Sequence, residues 1–100
     1  MAEKGVKYDN DKLQYNLFPP IVLKGIVEIL TFGAVKYAPD NWQIVPNAKQ
    51  RYTDALYRHL EEWRAGNKYD EESGKNHLYH AACCIIFLAW FDEKELKNKK

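Results

Sequence analysis

Residues 54–80 read DALYRHLEEWRAGNKYDEESGKNHLYH and hold all three histidines of the 100-residue chain, with most of the acids that lie away from its two ends. Two helical patterns meet here across a polar connection. Upstream, Tyr52, Ala55, Leu56, His59, Leu60 and Trp63 fall at i, i+3, i+4, i+7, i+8 and i+11, one continuous face that the His59 imidazole interrupts. On a neighbouring face Asp54, Arg58 and Glu62 recur every four residues, where opposite charges are expected to pair for about 0.2–0.5 kcal/mol each. Gly66 stops the pattern. Residues 67–74 then carry Asp70, Glu71 and Glu72, and Ser73 is the expected cap of the next helix. That last helix, over about residues 75–96, is apolar nearly all round from Ala81 to Phe91, as suits the centre of a bundle or a dimer seam.

Outward from this stretch, Asn47 and Gln50 match a capping box at the start of the second helix. Before it, APDNWQIVPN has two prolines, Asp40 and Asn41, and reads as a loop. Pro19 and Pro20 open a first helix over residues 21–37, with apolar residues at 22, 23, 26, 27, 30 and 34. Gly25 and Gly33 inside it cost helix stability, which suggests close approach of a neighbouring helix or a bend. Residues 1–18 have no sustained period but carry Tyr8, Tyr15, Leu17 and Phe18, so an ordered arm is expected, and residues 93–100 form a charged tail expected to fray. The fold class is all-α: residues 1–100 form one small bundle of three main helices with an N-terminal arm, completed by oligomerisation.

Fifteen basic and fourteen acidic residues nearly cancel, so no overall field draws the chain to nucleic acid or membrane, and no stable nucleic-acid partner is expected. Any anion must be captured by local groups. The apolar run AACCIIFLAWF is too short for the roughly 20 residues that cross a bilayer. MAEKGVKYDNDK lacks the apolar segment of a signal peptide. Adjacent Cys83 and Cys84 cannot staple distant segments, which makes a reducing cytoplasm the expected location.

His77, His80 and Cys84 lie at i, i+3 and i+7 on one helix face, just after the acidic connection. With His59 from the facing helix and Asp70 and Glu72 between, they compose a candidate divalent-cation site. A single histidine on an apolar face is more often a hydrogen-bonded core residue, and an acidic loop more often only caps a helix. Zinc held by two histidines and a thiolate is an alternative, but Cys84 sits mid-way in the most hydrophobic stretch and reads as a packed thiol. Oxygen-rich ligation suits Mg²⁺ or Mn²⁺ better. A second, basic and aromatic constellation comprises Lys7, Tyr8, Lys12, Lys36, Tyr37, Asn41, Trp42, Arg51 and Arg58; such groups grip phosphates and stack on bases.

Taken together, KYDNDK, LFPP, LTFGAVKYAPDNW, RYTDALYRHLEEWRAG and DEESGKNHLYHAACC resemble the dATP/dGTP diphosphohydrolase amino-terminal domain family of bacteriophages, related to the MazG-like all-α nucleotide pyrophosphohydrolases. The resemblance covers about residues 5–90 and implies a helical, oligomeric enzyme, a dimer or tetramer in the host-cell cytoplasm. It implies Mg²⁺- or Mn²⁺-dependent cleavage of a purine deoxynucleoside triphosphate to the monophosphate and pyrophosphate. On its motifs, His59, Glu62 and Glu72 are the expected catalytic residues, and Asp70, Glu72, His77 and His80 the expected metal ligands. Lys36, Tyr37, Asn41 and Trp42 are expected by the same resemblance to face the nucleotide, joined by Arg51 and Arg58 of the basic constellation as expected substrate contacts, while Lys7, Asp9 and Lys12 are expected to close over the phosphates. The chain departs from the MazG-like EExxE and ExxD pattern, having RHLEE and HLYH in the corresponding places, and it has Cys84 where close relatives are expected to have Asn. Two other classes compete: a non-catalytic nucleotide-binding module, and a helical interaction protein whose histidines are structural.

Overall fold

The computed structural model describes residues 4–98. Pro19 and Pro20 start helix α1 (Pro20–Lys36), since proline sets the helical φ and its missing N–H is no loss in a first turn. Helix α2 is Ala48–Arg64 and helix α3 is His77–Asn98. Short 3₁₀ turns occupy Tyr15–Leu17 and Asn41–Ile44, and among the described residues there is no strand, only an isolated antiparallel bridge between Tyr69 and Asn76. The all-α expectation is met, and α3 is its centre, with α1 and α2 both packed against it.

Gly25 makes the α1–α3 contact close. A Cβ there would lie 2.3 Å from the Tyr79 ring, so only glycine lets the two helices approach at this point. Gly33 has open space around it, so of the close approach or bend expected at the two glycines, close approach is found at Gly25. Ile26 and Ile29 of α1 meet Cys83 of α3, with Val22, Leu30, Tyr79, Ala82 and Phe87 around them. Burial pushes the Cys83 thiol up to about 12 and the Cys84 thiol up to about 11, which keeps both as protonated packing groups. Two ion pairs tie α1 to the segment between α2 and α3: Lys75 with Glu28 (2.6 Å) and Lys36 with Glu72.

Trp42 stacks on Phe87 (ring centroids 4.4 Å apart) and meets Trp90 edge-on at 4.9 Å. The Tyr52 hydroxyl donates to the Trp42 carbonyl at 3.3 Å, so the 38–47 loop is pinned across α2 and α3.

Several local expectations are corrected. Asn47 adopts the left-handed conformation (φ 55°) and makes no side-chain cap bond, so it supplies a turn and the capping box does not form. Arg58 does not bridge Asp54 and Glu62; the ion pair within α2 among the described residues is Arg64–Glu61, and Glu62 instead accepts a hydrogen bond from the Asn67 amide at 2.8 Å. The charged end of α3 remains helical through Asn98, because Glu, Lys and Leu are good helix formers and Lys94 covers the Trp90 ring one turn back. Residues 99–100 of that tail and 1–3 of the arm lie outside the described residues. Arm residues 4–18 are all exposed.

Core burial in one copy is thin. Among the described residues Ile26, Ile29, Ala81, Cys83 and Cys84 are the buried hydrophobics, and no large side chain is fully enclosed. The radius of gyration is 18.0 Å against about 13 Å for a globule of this length. The accessible surface is 8602 Å², where a folded 11.8 kDa monomer is expected to expose about 5,900 Å².

A candidate cation site in a cleft between two helices and a hairpin

Gly66, at φ +102°, ends α2: the Asn67 N–H returns to the Glu62 carbonyl (2.9 Å) and the Gly66 N–H to the Trp63 carbonyl (3.0 Å), a glycine-dependent helix stop. The chain then makes a miniature hairpin. Asp70 N–H donates to Lys75 O (2.8 Å), His77 N–H to Lys68 O (2.9 Å), and Gly74 N–H to Asp70 O (2.8 Å), with Gly74 itself at φ +73°. Asn76 caps α3, its Oδ1 accepting from the Leu78 N–H at 2.8 Å. The cap is therefore Asn76. Ser73 is folded back toward Asp70 and His80 instead, because the hairpin turns the chain three residues before the helix begins.

This hairpin lays Asp70 beside His77, and the α2 face delivers His59. One ligand-capable atom from each of the three lies within 4.8 Å of the others. His59 Nδ1 and His77 Nδ1 are 2.8 Å apart, and His80 stacks on His59 with centroids 4.5 Å apart and an 11° tilt. Two imidazole nitrogens that close share either one proton or one cation. Burial and the neighbouring His80 and His77 push His59 down to about 4, so it is neutral with a free lone pair at ordinary pH. Burial alone would raise Asp70, but hydrogen bonds from the Ser73 N–H and hydroxyl outweigh it and hold the carboxyl below its usual value. Burial also lowers His80, with Asp70 opposing.

The donor set fits a divalent cation: two imidazoles and a carboxylate, with the nitrogens near the roughly 3 Å edge of an octahedral shell whose bonds are about 2.1 Å. The cluster borders an open cleft of about 1310 Å³, lined also by Arg58, Lys68, Tyr57, Tyr69 and Glu62.

Of the residues expected from sequence, His59, Asp70 and His77 converge, with His80 stacked behind them, and Arg58 and Glu62 line the same cleft. Glu72 does not join the cluster, because Lys36 holds its carboxylate. Lys36 and Tyr37 sit together at the end of α1, Trp42 is committed to the Phe87–Trp90 aromatic group, Asn41 begins its 3₁₀ turn, and Arg51 donates to the Pro46 carbonyl at 3.4 Å. Lys7, Asp9 and Lys12 lie on the exposed arm, where the Lys12 N–H donates to the Asp9 carbonyl. None of these lines the cleft. Lys68, Tyr69 and Tyr57 do, and no sequence motif marks them: Lys68 and Tyr69 are placed by the hairpin pairing of 69 with 76, and Tyr57 by its position on α2 two residues before His59.

These ionisation shifts give a signed pH dependence. Unfolded His59 takes a proton near 6.5 and folded His59 near 4, so acidification between those values favours the unfolded chain. His80 acts in the same direction, and Asp70 adds a loss at still lower pH. Urea titrations in chelator are expected to show stability lost between about pH 6.5 and about pH 4, on the order of 3 kcal/mol from His59. A flat profile across that window would mean that the imidazoles are not packed as described.

A three-helix, all-α domain with an imidazole–carboxylate cluster in an open cleft is the class that fold and site define. The chain belongs to the family described as dATP/dGTP diphosphohydrolase, N-terminal, which matches residues 2–100. It is 34% identical over 86 residues to a dATP/dGTP diphosphohydrolase of Salmonella phage PMBT28, an alignment covering 86% of this chain and 29% of the relative. The chain thus spans under a third of that relative's length. No solved structure matches it. Among the described residues no helix is long and apolar enough to cross a membrane.

Proposed function

We propose that this domain takes part in the metal-dependent hydrolysis of a purine deoxynucleoside triphosphate, of the dATP or dGTP type, to the monophosphate and pyrophosphate in the host-cell cytoplasm. The observation that carries the reading is the meeting of His59, Asp70 and His77 at a cleft that also holds Arg58 and Lys68. The family and the name of the phage relative support it.

His59, Asp70 and His77 would hold the cation, which when bound would neutralise charge on the phosphate oxygens and make water a better nucleophile. Two imidazoles favour Mn²⁺ over Mg²⁺, which prefers an oxygen shell. Arg58 and Lys68 bind phosphate oxygens, the guanidinium through paired N–H groups. Glu62, whose Oε2 is held by Asn67, uses Oε1 to take the proton of the attacking water. Water adds to the α phosphorus, the bond to the bridging oxygen breaks, and pyrophosphate leaves. Glu72, paired with Lys36 outside the cleft, ties α1 to the hairpin.

The test is to incubate the purified protein with each deoxynucleoside triphosphate and Mn²⁺ or Mg²⁺ and to measure pyrophosphate. Release from a purine substrate that chelator abolishes supports the proposal. Nucleotide binding without turnover would favour the non-catalytic module, and neither binding nor turnover would favour the interaction protein.

Self-association belongs to the same proposal. The surface in excess of a monomer's expectation is about 2,700 Å², ample for the 1,000–2,500 Å² that each partner of an obligate dimer buries. Ile21, Leu23 and Val27 of α1 and Ile85 and Ile86 of α3 are among its exposed apolar residues. Light scattering is expected to give a multiple of 11.8 kDa, and a stable monomer at all concentrations would overturn this part.

A further inference from the structure

Ser73, beside the cluster, is a polar side chain that the chemistry above leaves unused. Its Oγ lies 3.0 Å from Asp70 Oδ2, 2.7 Å from His80 Nε2 and 3.2 Å from the Lys75 backbone N, while its own N–H donates to Asp70 Oδ2 at 2.9 Å. A hydroxyl has one proton to give and two lone pairs to offer. The Lys75 N–H can only donate and the Asp70 carboxylate can only accept. The Ser73 proton therefore goes to Asp70, and the remaining lone pair must receive a proton from His80.

We infer that Ser73 is a positioning residue of the cation site, through a one-way chain His80 Nε2–H to Ser73 Oγ–H to Asp70 Oδ2 that fixes three groups at once. The inference rests on the cation site proposed above. Asp70 Oδ2 is occupied by two donors from Ser73, which leaves Oδ1 as the oxygen free to ligate. His80 is locked with its proton on Nε2. Its ring lies flat against His59, so holding His80 braces the ring of a ligand from behind. Without the hydroxyl, His80 Nε2, already 3.6 Å from Asp70 Oδ2, is the nearest substitute donor, and closing that gap draws His80 off His59 and turns the carboxylate. Partners that orient ligands in this way typically carry a 10- to 100-fold effect on metal affinity.

Mn²⁺ affinity, measured on the nucleotide-free protein by the resonance signal of the unbound ion, is expected to fall about 10- to 100-fold in Ser73→Ala. Ser73→Thr keeps the hydroxyl and is expected to restore it. Nitrogen NMR of the wild-type protein, which needs no variant, is expected to show His80 protonated at Nε2. An Nδ1–H tautomer would overturn the inference, as would wild-type affinity in Ser73→Ala or equal losses in Ser73→Ala and Ser73→Thr. The two levels are separable: if Asp70→Asn and His77→Ala lose Mn²⁺ while Ser73→Ala does not, the site stands and the role of Ser73 falls. If none of the three loses it, the site falls and takes this role with it.

Discussion

Asp70→Asn is expected to lower Mn²⁺-dependent pyrophosphate release from the preferred purine substrate by at least about 10³-fold, some 4 kcal/mol of transition-state stabilisation. The substitution is nearly isosteric. An amide oxygen still accepts from the Ser73 N–H and hydroxyl, so the hairpin keeps its shape while the charge that offsets the cation disappears. His77→Ala is expected to act as strongly by removing a buried ligand, but it also opens a void beside His59. Asp70→Asn is therefore the cleaner variant. Two controls sharpen the comparison. Cys84→Ala removes a packed thiol outside the cleft and is expected to cost stability with little change in turnover per folded molecule. Glu72→Gln breaks the pair with Lys36 and is expected to weaken the hold on α1 before it touches the chemistry. Full turnover in a folded Asp70→Asn protein would remove the cluster from the mechanism.

The second large effect is on stability. Gly25→Leu is expected to destabilise the domain by at least about 3 kcal/mol, because a Cβ placed 2.3 Å from the Tyr79 ring pushes α1 away from α3. Replacing a helical glycine gains at most about 1 kcal/mol of propensity, too little to compensate. With so thin a core, that loss is a large share of the 5–15 kcal/mol that holds ordinary domains together. Thermal melting is expected to move down by more than about 12 °C for a chain of this size. In the double variant with Tyr79→Ala the new side chain enters the space the ring vacates, so the two losses should sum to more than the measured total. A Gly25→Leu protein as stable as the parent would mean that the helices do not meet there.

The helices were legible because their signals are local. Pro19 and Pro20, Gly66 and the face running from Tyr52 to Trp63 each act within a turn or two, and the structure keeps them. The convergence of His59, Asp70 and His77 was legible as a set, since the polar connection is short enough to force its residues near both flanking helices. What sequence could not supply was direction. Glu72 and Asp70 are two residues apart and both carboxylates, yet one faces Lys36 and the other the imidazoles, because the turn that the Gly74 N–H closes on the Asp70 carbonyl carries Glu72 away from Asp70. Trp42 looked like a stacking platform for a base, and its ring is stacked, but on Phe87, a partner more than forty residues away that no local pattern announces. Asn47 matched a cap by residue type and spacing; its left-handed backbone, which decides the matter, is set by the loop before it.

The small hairpin after α2 has a further consequence. Asp70 and His77 are seven positions apart on the two arms of one hairpin, held by the bonds of Asp70 to Lys75 and of His77 to Lys68, so bringing them together closes a short and inexpensive loop. Of the three cluster residues, only His59 has to be supplied by the packing of α2. Changes on the surface of α1, which supplies none of the three, are therefore expected to leave the cluster in place.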